Sequence, residues 1–134
     1  MNLYDKKMNC YIGKFKGYDY MILGNNYPCV YIKIPKKSKL YRMEYEEVDK
    51  LLGVHGGVTY SENHYPTQFK IDSTEWWIGW DYAHAGDARY FNDTFIVGKV
   101  WDFEDVKKEC FNAIDQIIKI GNVSKIKSIL NIFL

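Results

Sequence analysis

Hydrophobic and polar positions alternate in short runs along the first hundred residues, then change to a three-and-four spacing near residue 103. The alternation predicts a strand over Asn9–Lys16, closed by Gly17. Tyr20–Leu23 and Tyr27–Ile34 read as a hairpin around Gly24-Asn25-Asn26, residue types that tolerate left-handed backbone. Val30, Ile32 and Ile34 share one face of its second strand, and Pro35 with the Lys36-Lys37-Ser38-Lys39 run ends it. Tyr45–Leu52, with three acids, fits one or two helical turns or an acidic loop. Val54–Tyr60 reads as a short strand through or just after Gly56-Gly57, and Ser61–Thr67 as a polar loop holding His64. Gln68–Asp72 and Glu75–Tyr82 read as strands joined by a Ser73-Thr74 turn. Ala83–Asp93 reads as a second loop and Phe95–Val100 as a last strand.

The C-terminal spacing is helical. Phe103, Val106, Cys110, Ala113, Ile114 and Ile117 fall on one stripe, with Asp102 as N-cap and Glu104 and Asp105 in the first turn. Gly121 predicts a stop, after which Ser124 caps a second short helix carrying Ile126, Ile129, Leu130 and Phe133. The expected architecture is one α+β domain over residues 1–134: a mostly antiparallel sheet with C-terminal helices packed on one face.

Composition narrows the functional classes. At 134 residues the chain buries a core without disulfide staples. Its three cysteines, Cys10, Cys29 and Cys110, are odd in number and show no zinc spacing, which fits reduced, buried residues of a cytoplasmic protein. No leader-like apolar run opens the chain, and no apolar run reaches the roughly 20 residues of a membrane span. Net charge is +1, but residues 1–42 hold nine bases against two acids, residues 43–105 four against thirteen, and the remainder five against two. Lys14, Lys16, Lys33, Lys36, Lys37 and Lys39 of the basic third suit a phosphate-bearing partner or a solvated face complementing the acidic middle. So little net charge argues against long nucleic acid.

Two segments concentrate the rare chemistry: His55-Gly56-Gly57-Val58-Thr59-Tyr60-Ser61, and Trp77 to Asp87, which holds Asp81, His84 and Asp87. Histidine both takes and gives a proton near neutrality. If the strands of these segments are neighbours, His55 and His84 converge as a general base and acid for a phosphodiester, with Asp81 or Asp87 fixing a tautomer. Thr59, Ser61 and the backbone of Gly56 and Gly57 are candidate phosphate contacts, and Tyr60, Trp80 or Tyr82 candidate base-stacking platforms. Other readings stay open. Asp81, His84 and Asp87 with His55 or His64 suit a divalent metal; the same pocket suits a nucleotide bound without cleavage; and the histidines suit structural hydrogen bonding. Gly53 to Gly57 lacks the Gly-Lys-Ser/Thr ending of a phosphate loop, and Ser61 lacks a nucleophile elbow. The expectation is metal-independent chemistry without a cofactor, on a small nucleotide ligand, in a possible homo-oligomer without membrane contact. A module docking a host protein through exposed aromatics is the third class.

His55–Ser61 and Gly79–Asp87, with Val30-Tyr31-Ile32-Lys33-Ile34-Pro35 and Tyr45-Glu46-Glu47-Val48-Asp49, resemble a group of short, largely uncharacterised phage and bacterial proteins. That group carries His-Gly-Gly-x-Thr-Tyr-Ser followed by Gly-x-Asp-x-Ala-His-Ala-Gly-Asp. The resemblance covers roughly residues 27–90; Tyr82 stands where the group commonly has cysteine, which removes a thiol there. It carries no catalytic assignment of its own. It implies a phage setting, in which small proteins disarm bacterial immunity by cleaving or sequestering nucleotide signals such as cyclic dinucleotides or ADP-ribose derivatives.

Overall fold

A computed structural model describes residues 10–24, 26–66 and 75–133. β1 (Tyr11–Phe15), β2 (Tyr18–Gly24), β3 (Pro28–Ile34), β4 (Tyr60–Glu62) and β5 (Trp76–Asp81) form one antiparallel sheet in the order β1-β2-β3-β5-β4. The register follows the apolar alternation. Val30, Ile32 and Ile34 stand opposite Trp80, Ile78 and Trp76, so all six share the face that meets the C-terminal helix. That helix, α2 (Phe103–Phe133), buries Phe103, Val106, Cys110, Ala113, Ile114 and Ile117 on the sheet. Each fully buried aliphatic side chain of this layer is worth about 1.5–3 kcal/mol. Leu40, Val48, Leu52 and Val58 close one end of the core, with Val48 on the one-turn helix α1 (Tyr45–Asp49). The chain is α+β, and Asp102 caps α2 through a 2.8 Å bond from the Asp105 N–H to its Oδ1.

Four expectations are corrected. Val54–Tyr60 is a loop up to β4, because Gly56 and Gly57 both take left-handed backbone, φ 70 and 87. Ser61 and Glu62, read as loop, belong to β4. Part of the loop read over Ala83–Asp93 is strand: β6 (Arg89–Phe91) pairs with β7 (Thr94–Ile96) across an Asn92-Asp93 turn at φ 48 and 62. Two positive-φ residues between short strands make the hairpin turn whose twist matches the flanking strands. Finally, Gly121 does not end the helix, and the two predicted helices are one of 31 residues. A helical glycine costs only about 1 kcal/mol, and no proline follows to enforce a stop. The expected strand over Gln68–Asp72 and its Ser73-Thr74 turn lie outside the described residues.

Beyond Ile117 no described side chain of the helix is fully buried, and Ile118 and Ile120 are the last to pack, half-buried, against the core. Ser124 and Ser128 follow Ile117 on its line toward the rest of the molecule, whereas Val123, Ile126, Ile129 and Leu130 are exposed. The β6–β7 hairpin likewise exposes Tyr90, Phe91 and Phe95. No described helix is long and apolar enough to cross a membrane. Of the cysteines, which are all free, only Cys110 is buried; Cys29 is half-buried and Cys10 exposed, contrary to the uniform burial expected.

Candidate functional site

β4 and β5 run antiparallel, with Tyr60 opposite Gly79. The loop that precedes β4 therefore lies beside the loop that follows β5, and these loops carry His55 and His84. Their ring centroids are 5.6 Å apart, edge to face at 66°.

His55 is held from three directions. Its Nε2 is 2.8 Å from Asp87 Oδ2, its ring stacks on Tyr82 at 4.7 Å and 7°, and its backbone N–H donates to Glu109 Oε1 at 2.7 Å. Glu109 Oε1 also accepts from the Tyr82 hydroxyl at 3.0 Å, which in turn accepts from Trp80 Nε1 at 3.2 Å. A helix-borne carboxylate, a core tyrosine and a core tryptophan thus fix the platform under the imidazole. With Nε2 committed to a carboxylate, the proton resides there, and Nδ1 is left without a protein partner among the described residues.

Asp87 is nearly fully buried, yet accepts three N–H groups: His55 Nε2 and the His84 backbone N–H at Oδ2, and Trp101 Nε1 at Oδ1 (2.8 Å). Burial pushes its pKa up, but the bonds from His55, His84 and Trp101 and the electrostatic attraction of the His55 imidazole outweigh this. The carboxyl therefore sits below its ordinary 3.8 and stays ionised. The turn around it is closed by the Asp87 N–H donating to His84 O at 3.0 Å. It is clamped by Arg89, whose guanidinium donates to both the His84 and Asp87 carbonyls at 2.8 Å.

His84 lies with Nε2 3.3 Å from Asp81 Oδ1, shielded from solvent and out of alignment for a hydrogen bond. Gly56 packs against this ring so closely that any Cβ there would overlap it, and its φ of 70 disfavours a side chain as well. Gly56 beside His55 is therefore what lets the second imidazole approach the first, whereas Gly57 makes room for the Asp49 carboxylate. Lys99 completes the rim, its Nζ 3.8 Å over the Trp101 ring.

The other residues singled out in the sequence have different places. Trp80 and Tyr82 are buried to 1% and 0% exposure, so neither offers a face to a base; they support His55 from beneath. Ser61 is buried on the helix-facing side, donating to Met43 O at 2.6 Å and accepting from Trp76 Nε1, so it is a structural hydroxyl. Tyr60 points to the opposite face of the sheet, edge-on to Tyr31 at 5.1 Å. The backbone cradle shrinks too. The N–H groups of His55, Gly57, Val58 and Thr59 donate to Glu109, Val54 O, Asp49 and Gly79 O, leaving that of Gly56 as the donor in this stretch without a protein acceptor among the described residues. The Thr59 side chain is exposed.

His64 sits past the far end of β4, away from the His55–His84 pair. Among the described residues no group of three or more His, Cys, Asp and Glu is placed to hold a metal ion, and both oxygens of Asp87 already accept N–H donors. The thiol of Cys29, opposite Asp81 across β3 and β5, is pushed up to about 12 by burial and then by the Asp81 charge, so it is no nucleophile.

No family model, curated protein or solved structure matches the chain.

Four contributors escaped the sequence reading: Lys99, Trp101, Glu109 and Arg89. Glu109 left a trace, as an acid three residues after Val106 and four before Ala113, on the flank of the apolar stripe. Trp101 and Arg89 left none, because their partners are a carboxylate and two carbonyls brought to them by the loop's tertiary path.

Proposed function

We propose that the protein cleaves a phosphodiester of a small nucleotide signal by paired-histidine acid–base catalysis. What supports this most is one observation: two imidazoles face each other at 5.6 Å, each with Nε2 set against its own aspartate. His55 acts as base. Its proton is fixed on Nε2 by an ionised carboxylate, so Nδ1 carries the lone pair that takes a proton from the attacking water. The water oxygen bonds to phosphorus, the bond from phosphorus to the leaving ribose oxygen breaks, and His84 gives that oxygen a proton. Asp81 Oδ1 lies 3.3 Å from His84 Nε2, on the side of the ring away from its Nδ1. The Gly56 N–H and the Lys99 ammonium, which lies over the Trp101 ring, are the donors offered to phosphate oxygens.

The resemblance of the two motifs to short phage proteins supports a cyclic dinucleotide or ADP-ribose derivative as substrate and the cytoplasm of an infected bacterium as its setting. A sponge that holds the same signal uncleaved, assembled as a homo-oligomer, is the second reading. It is favoured by the Lys99–Trp101 pair, which suits binding and supplies no proton transfer. Incubation with a panel of cyclic dinucleotides in EDTA, followed by heating and chromatography, separates the two. The proposal expects a linear or monomeric product. Ligand retained until heating and then recovered intact supports the sponge, and ligand neither retained nor changed overturns both.

A further inference from the structure

The lysines of the basic N-terminal third are sorted by the fold. Lys14, Lys16 and Lys33 are neutralised by Asp19, Asp115 and Glu75 at 3.5, 2.7 and 3.2 Å. Lys37 and Lys39, in the turn after β3, form no ion pair among the described residues; they face the C-terminal half of α2, which brings Lys119, Lys125 and Lys127, equally unpaired. Two cavities of about 480 and 830 Å³ flank this stretch of helix and share Lys39 and Ser124 in their walls. Among the described residues five lysines line them, and no aspartate or glutamate does. Solvated protein surfaces ordinarily intersperse both signs of charge.

We propose that this groove is a second ligand site, one that takes a small phosphorylated molecule. Its described cations are all lysines, compact point charges suited to phosphate, whereas a planar carboxylate is better matched by the arginine fork, and no arginine lines it among the described residues. The hydroxyls of Ser38, Ser124 and Ser128 add donors, and Tyr18, Pro35 and Ile129 give the larger cavity an apolar wall for the rest of the ligand. Its size is that of small-molecule sites, roughly 300–1,000 Å³. The groove is distinct from the paired histidines: neither lies in its described walls, and its nearest helix residue, Gln116, follows Glu109 by seven residues, about 10 Å along the axis.

Inorganic triphosphate is the probe, titrated into the full chain by calorimetry at low and at physiological salt. The expected result is saturable binding below millimolar concentration that weakens with salt. Lys39→Glu with Lys125→Glu should weaken it at least tenfold, and His55→Ala should leave it unchanged. If charge reversal unfolds the chain, Lys39→Gln with Lys125→Gln serves the same comparison. Absence of saturable binding up to several millimolar, or equal binding by folded lysine variants, overturns the site. A flotation arm with phosphatidylserine and phosphatidylcholine vesicles identifies the source of the phosphate. Vesicle binding that triphosphate displaces supports a lipid headgroup, and triphosphate binding without vesicle binding supports a free ligand.

Discussion

Asp87 accepts three N–H donors in a nearly closed site, which ties the candidate chemistry to folding stability. Its folded pKa lies below the ordinary 3.8, so the folded state binds fewer protons than the unfolded one. The stabilisation is complete above pH 3.8 and fades as pH falls through the lower folded value. Chemical denaturation from pH 6 down to 2 should show this acid loss in the wild type and a shallower loss in Asp87→Asn; equal slopes would refute the assignment. Gly56 makes the sharper residue-scale test. Gly56→Ala forces φ 70 on a residue with a Cβ and drives that atom into the His84 ring. It should destabilise by at least about 1–3 kcal/mol from backbone strain alone. Gly53→Ala, whose added Cβ meets nothing nearer than Gln116 Oε1 at 3.9 Å, is the matched control and should be close to neutral. Tyr82→Phe deletes the hydroxyl that serves both Glu109 and Trp80, leaving a buried indole N–H unpaired, for a cost of about 1–3 kcal/mol.

Element by element, the parts legible in the sequence are those whose signal is periodic. The β3 alternation of Val30, Ile32 and Ile34 and the α2 stripe from Phe103 to Ile117 bury the faces that their spacing dictates, since a buried face leaves a period in the chain. Gly121 misled because a glycine marks a helix end only when its backbone goes left-handed, and here it stays helical. The Asn92-Asp93 turn was lost in the loop read over Ala83–Asp93, because the strands it joins are three residues each, too short for a period. Of the site, the rings of His55 and His84 and the acids Asp81 and Asp87 were legible as a cluster of rare residue types. The burial of Trp80, Tyr82 and Ser61 was not, because an aromatic or hydroxyl next to a histidine in sequence can point to either face of its strand. The exposed end of α2 yields a prediction at this scale. A chain ending at Ile120 keeps every fully buried helix residue, so its melting temperature should fall by less than about 4 °C, the shift of roughly 1 kcal/mol. Loss of cooperative unfolding would show that the last turns carry the fold.

Across the whole molecule, the antiparallel β4–β5 pair acts as the device that unites residues 29 positions apart: it sets the loop before one strand against the loop after the other, and the core residues Tyr82 and Trp80 with Glu109 hold the first ring in place. On the proposed function the two imidazoles work as one machine. Its most direct test is the turnover rate of a cleaved cyclic dinucleotide for the wild type, His55→Ala, His84→Ala and the double variant, with folding checked by circular dichroism. Each single change should lower kcat by about 10²–10⁴, and the double variant should fall no further than the worse single one, because groups that act as a unit are not additive. A folded single variant that turns over at the wild-type rate would contradict the shared role of the pair.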